Sequence, residues 1–170
     1  MGLKEVKQEL LKQDKETLVK HISELYKKYD SVKEYFDFYV TPNEEEILNK
    51  YKEKVREGFY PKHGYDLKLS ISRNAINSFR KLGVSREKLG ELMLYFVECG
   101  VEYTNDFGDI DESFYTSVEN TFEKSLSNFE SEGVLEKYRE KAGQILKDSS
   151  GIGWGFRDTI GDIFYSYYDV

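Results

Sequence analysis

Twenty residues, Ser85 to Thr104, constrain this chain more than any other stretch. In SREKLGELMLYFVECGVEYT no charge interrupts Leu92 to Val97. Leu89, Leu92, Met93, Phe96 and Gly100 recur at i, i+3, i+4, i+7 and i+11, the period of a helix and not of a strand. Leu94, Val97 and Val101 widen the apolar face, so neighbours are expected on most sides of this helix. Glu91, Glu98 and Glu102 interrupt it along one stripe.

Read in order, the rest of the chain supplies those neighbours. Leu3 to Gln13 reads as a short helix with Val6, Leu10 and Leu11 inward. Asp14 caps a second, whose stripe is Leu18, Val19, Ile22, Leu25, Tyr26 and Tyr29. Ser31 to Glu34 has the form of a capping box ahead of Tyr35, Phe36, Phe38 and Tyr39. Thr41-Pro42-Asn43-Glu44 is another start signal, with Pro42 at the first helical position, and Ile47, Leu48, Tyr51 and Val55 continue to Gly58. The loop Phe59 to Asp66 follows, broken by Pro61 and Gly64. Leu67 to Leu82 carries Ile71, Ala75, Ile76 and Phe79 inward, and Gly83 stops it. After the central helix, Asp111 caps a spine of Phe114, Val118, Phe122, Leu126 and Phe129 that ends near Gly133. Leu135, Tyr138, Ala142, Ile145 and Leu146 describe one more helix. A Gly-rich hinge at 149–155 leads to a terminal docking helix with Phe156, Ile160, Ile163, Phe164 and Tyr167 on one face. The expectation is a single all-α domain over residues 1–170, a bundle of about nine helices stacked as antiparallel hairpins.

Composition agrees with that reading. A chain of 170 residues buries about two-thirds of its unfolded surface without staples. Two prolines and 34% charged residues favour helices over a turn-rich β fold. The single cysteine, Cys99, lies inside the apolar helix, which rules out an intramolecular disulfide and fits core filling in a reducing compartment. The opening residues MGLKEVKQELL carry no apolar signal-peptide core, and no run reaches the length of a membrane span. A soluble cytoplasmic protein, without membrane attachment, is expected.

Charge is distributed unevenly. Residues 52–88 hold ten Lys/Arg and four Asp/Glu, whereas 89–136 hold one Lys and twelve Asp/Glu. Two faces that attract each other within one fold account for this most simply; a bipolar surface for a partner is the sharper alternative.

Three blocks carry a family resemblance: ELYKKYDSVKEYFDFYVTPNEE (24–45), LGVSREKLGELMLYFVE (82–98) and ESFYTSVENTFEKSL (112–126). Over residues 3–146 the chain resembles a family of small, all-helical bacterial proteins of unknown function; the Gly/Trp tail lies outside the match. The resemblance implies a bacterial helical domain and carries no activity, cofactor or catalytic residue with it.

Several motifs invite a functional reading. Phe79 to Leu92 mimics a helix-turn-helix, with Gly83-Val84-Ser85 as the turn. Phe79 stands where a small residue is needed, however, and Glu87 and Glu91 would face phosphate. Glu98 and Glu102 share a stripe on one helix, and Glu112, Glu119 and Glu123 share one on the next. Facing each other, they could hold a divalent cation through oxygens. The Glu-x-x-His of di-metal helical sites is missing, since only His21 and His63 exist. His63, beside Tyr60, Lys62, Tyr65 and Asp66, reads as an exposed loop histidine. Ser150 to Phe156 (SGIGWGF) lacks the third glycine of a dinucleotide fingerprint and the Gly-Lys-Ser/Thr of a P-loop. Trp154, Tyr165 and Tyr168 are the candidates for a partner or homodimer contact. The favoured function is a non-enzymatic protein-interaction module with no cofactor. The alternatives are nucleic-acid binding through the basic 52–88 segment, against which the motif evidence weighs, and a divalent-metal enzyme on the acidic helices.

Overall fold

The computed structural model describes residues 2–64 and 66–168. Among these residues there are nine α-helices, one 3₁₀ turn and no strand, so the fold is all-α. The helices are α1 (Leu3–Leu10), α2 (Lys15–Lys28), α3 (Asp30–Val40), α4 (Glu44–Phe59), α5 (Leu69–Lys81), α6 (Arg86–Phe107), α7 (Glu112–Ser131), α8 (Arg139–Asp148) and α9 (Phe156–Tyr167). The 3₁₀ turn, Leu135–Tyr138, leads into α8. None of the helices is long and apolar enough to cross a membrane. Packing divides the chain into two compact units, Met1–Asn43 and Glu44–Val170.

The larger unit is organised around α6, which buries twelve of its 22 residues. Gly83, in the left-handed region at φ 81°, ends the preceding segment, and the Ser85 hydroxyl accepts from the Lys88 amide to start α6. The Ser85 amide and hydroxyl both donate to the Glu44 carboxylate, which ties this start to the first turn of α4. α7 runs back antiparallel along α6: Gly90 faces Ser125 and Phe129, and ten residues on Gly100 faces Val118. The expected α7 spine of Phe114, Val118, Phe122, Leu126 and Phe129 is wholly buried. α4 and α5 form a second antiparallel hairpin, in which the Tyr51 and Phe79 rings lie 5.1 Å apart and the Ser72 hydroxyl donates to the Val55 carbonyl at 2.7 Å. α4 itself lies parallel to α6, in step from Glu44–Ser85 to Tyr60–Asp106. α8 and α9 make a third hairpin, locked where the Tyr168 hydroxyl donates to the Leu135 carbonyl at 3.0 Å.

Each buried aromatic contributes on the order of 2–3 kcal/mol through the area it removes from water. Phe59, Phe96 and Phe114 therefore form the energetic centre, where three elements meet. Two local expectations shift in this unit. α4 starts at Glu44, so Pro42 lies outside the helix and not at its first position. Ile71, expected inward, is on the exposed side of α5, while Ala75, Ile76 and Phe79 are buried as expected.

The smaller unit differs in kind. No residue of α1, α2 or α3 is buried. Asp14 caps α2 as expected, accepting from the Thr17 amide at 2.8 Å. Tyr29 alone is extended, at φ −127° and ψ 116°, and breaks α2 from α3. The pair is held by Tyr26, whose hydroxyl donates to Asp37 at 2.6 Å. Because α3 starts at Asp30, Ser31 falls inside its first turn, and the expected capping box gives way to a Tyr29 cap with no side-chain hydrogen bond. Val6, Leu10 and Leu11, expected to face inward, are 41%, 41% and 85% exposed.

Candidate functional site

The polar stripe on α6 passes along two neighbouring helices. Glu91 accepts from Lys52 of α4 at 2.9 Å and pairs with Lys88 at 3.3 Å. Burial pushes its carboxyl up, but the two lysines outweigh this and hold it below the ordinary value. Eleven residues on, Glu102 accepts both guanidinium nitrogens of Arg56 at 2.7 and 2.9 Å, and that pairing lowers its pKa. Lys52 and Arg56 are four apart on α4, so one face of that helix serves both acids. The basic and acidic stretches of the sequence thus meet inside one unit. Both partners of the Arg56–Glu102 pair are partly exposed, which limits its worth to below about 1 kcal/mol.

Glu98 lies between these pairs and has no such partner. It lines a cleft of about 450 Å³ between α6 and α8, with Glu102, Asp106, Asp148, Lys141 and Gln144. Asp106 accepts from the Tyr60 hydroxyl at 2.8 Å, and Asp148 accepts from Gln144 at 2.7 Å. Burial pushes the Glu98 carboxyl up, opposed by the positive charges of Lys141 and Lys52. Ionised Glu98 is therefore penalised in the folded state, and the penalty grows as pH rises through the ordinary carboxylate range, whose reference here is 4.5. Glu98→Gln is expected to raise the melting temperature at neutral pH. That advantage closes as pH falls below 4.5, measured as the difference in Tm across a pH series. A difference independent of pH would show that charge is not its cause.

The second acidic stripe does not face this one. Glu119 bonds Thr159 of α9, and burial raises its carboxyl. Glu123 is exposed on the same side and acts through its charge on Tyr167. So Glu98 and Glu102 look toward α4 and α8, whereas Glu119 and Glu123 look toward α9. Among the described residues no group of three or more His, Cys, Asp or Glu side chains is arranged to hold a metal. Cys99 is buried, and burial pushes its thiol up to about 11, which removes it as a nucleophile near neutrality. His63 is exposed in its loop; Tyr65, grouped with it in the sequence, lies outside the described residues.

The helix-turn-helix lookalike fails on burial. Leu89, Gly90, Leu92 and Met93 would form the inner half of a recognition helix, but burial continues on nearly every side from Leu92 to Val97, which leaves little outer face to read a groove. Glu87, one of its outward positions, accepts from Lys137 at 2.5 Å and from the Tyr138 hydroxyl at 2.9 Å.

The three aromatic candidates at the carboxyl end separate. Trp154 is 61% exposed and holds a left-handed φ of 60° between two glycines. Tyr165 is 51% exposed. Tyr168 is fully buried and is removed from any contact surface. It lies past the helix end, its ring is tilted against that of Phe164 at 4.8 Å, and its hydroxyl is pushed up to about 12 by burial. Nor is the stretch between α8 and α9 a bare linker: Ser149 and Ile152 are buried, and the Gly153 amide donates to Asp109 at 3.3 Å.

The exposed apolar residues collect elsewhere. Among the described residues, eleven of the fifteen large hydrophobics that stand exposed belong to the first 43 positions. They include Val19, Ile22 and Leu25 on α2, Tyr29 between the helices, and Tyr35 and Tyr39 on α3. The sequence does contain their signal, the helical stripe, but a stripe does not say what covers it.

A model of a family of unknown function matches residues 1–167. The match extends past Leu146 and takes in the Gly/Trp tail. Comparison with curated proteins and with solved structures finds no match in either.

Proposed function

This chain belongs to the DUF6155 family, whose function is unknown, and on that premise we propose that it is a non-enzymatic protein-interaction module whose contact surface is the apolar side of α1–α3. One observation supports this reading above the others: three amphipathic helices present Leu3, Leu11, Val19, Ile22, Leu25 and Tyr39 to solvent and bury no residue. Exposed apolar surface on this scale marks a contact site in soluble proteins. The enzyme reading has less behind it. Its acids are paired with Lys52 and Arg56 or point to different helices, and no metal-holding group of side chains forms among the described residues. The nucleic-acid reading rests on the basic 52–88 segment, where Lys52, Arg56 and Lys88 are already neutralised by Glu91, Glu102 and Glu45.

Carbene footprinting of the full chain tests the module. Labelling of Ile22, Leu25 and Tyr39 is expected to fall when the protein is moved from dilute buffer into an extract of its source cells. In Ile22→Asp/Leu25→Asp that protection is expected to be lost. Equal labelling in dilute buffer, in buffer at high protein concentration and in extract would refute the interaction reading.

A further inference from the structure

We propose that the partner of this surface is a second copy of the chain, the two copies joining through α2 and α3 as a four-helix bundle. The inference rests on the interaction reading and supplies its occupant.

The pattern on α2 is that of a helix packed in a bundle. Leu18, Ile22 and Leu25 step by four and three residues, the spacing of a bundle seam. Within the chain α3 covers only one margin of this face. Leu18 and Tyr26 on α2, and Val32 and Phe36 on α3, are half-buried, whereas Val19, Ile22, Leu25, Tyr29, Tyr35 and Tyr39 are exposed. One helix pair is a single layer, and a stable packing needs a second. A matching pair from another copy supplies it.

Size points the same way. A unit of this length in which none of the described residues 2–43 is buried falls where disulfides, metals or association replace a core. This segment has no cysteine, and His21 is its one histidine. Association is the device its residues allow.

Charge then selects the occupant. Residues 1–43 contain eight Lys against eight Asp/Glu, so the whole net charge of −7 resides in the remainder of the chain. A neutral segment of interspersed signs offers no field to nucleic acid, an anionic membrane or a strongly charged protein. It does not repel its own copy, and a two-fold axis can set each sign against its opposite. The seven exposed apolar residues from Val19 to Val40 present on the order of 700 Å² per copy, close to the ~800 Å² per partner of a standard interface.

Sedimentation velocity on the full chain, from low to high micromolar concentration, decides the matter. The expected result is a species of twice the 20.0 kDa chain mass, and Ile22→Asp/Leu25→Asp is expected to weaken it on the order of 100-fold. Tyr35→Ser/Tyr39→Ser, on the other helix, serves as a second variant, and circular dichroism checks that each retains its helices. A wild-type monomer at every concentration overturns the proposal, as does a dimer that both variants leave unchanged. A monomer whose α1–α3 residues are nevertheless protected in extract ends the homodimer and leaves the interaction reading with an unlike protein. A monomer without that protection ends both.

Discussion

Phe59→Ala is expected to destabilise the larger unit by about 3–5 kcal/mol, the range for deleting a fully buried phenyl ring. The ring is inaccessible to solvent and lies 5.1 Å from Phe96, 6.3 Å from Tyr103 and 6.4 Å from Phe114. These neighbours belong to α6 and α7, so the cavity opens where three helices converge and none can collapse into it alone. In thermal denaturation the loss should appear as a fall in Tm on the order of 10–20 °C. A loss below about 1 kcal/mol would mean that the three-way junction is not packed as described.

Gly58→Val is expected to cost about 3 kcal/mol for a different reason, overpacking. A Cβ at Gly58 would overlap the Ser72 hydroxyl and stand 3.0 Å from both the Lys68 carbonyl and the Ser72 amide. The hydroxyl is fixed by its bond to the Val55 carbonyl, and the other two atoms are backbone, so nothing nearby can rotate aside. Displacing that hydroxyl also strands a buried polar group, worth about 1–3 kcal/mol. Gly143→Ala is the control. Its nearest neighbour would be the Phe164 ring at 3.7 Å, ordinary van der Waals contact. Relief of glycine's poor helix propensity should therefore stabilise α8 by up to about 1 kcal/mol. Equal shifts in the two variants, read by urea denaturation, would show that the α4–α5 approach does not require glycine.

The central helix was legible because its evidence is internal. Apolar residues on nearly every side of Leu89 to Val101 leave one arrangement, enclosure by neighbours, and the buried residues of α6 run from Leu89 to Thr104. The α7 spine could be read for the same reason. Val6, Leu10 and Leu11 could not. A helical period establishes that a helix has an apolar side, and what lies against that side is a property of residues far along the chain. Glu91, Glu98 and Glu102 show the same limit: their common stripe follows from spacing, but the partners Lys52 and Arg56, and the charge of Lys141 that acts on Glu98, come from helices about forty residues away in either direction. Lys52 and Arg56, four apart and facing two acids, are the one sequence signal that could have found the pairing. Tyr168 misled because it lies beyond the last helical turn. There φ is −117° and ψ 99°, the helical period no longer applies, and the hydroxyl reaches back to the 3₁₀ turn ahead of α8.

The parallel course of α4 and α6 also bears on how the larger unit assembles. Each hairpin closes a short turn, so its two helices meet at little entropic cost. The α4–α6 contacts join residues 39 to 46 apart, with the whole of α5 looped between them. Closing that longer segment costs more chain entropy before any contact repays it. In kinetic terms the hairpins have the advantage, and the seam carrying Lys52–Glu91 and Arg56–Glu102 is the contact that waits for them.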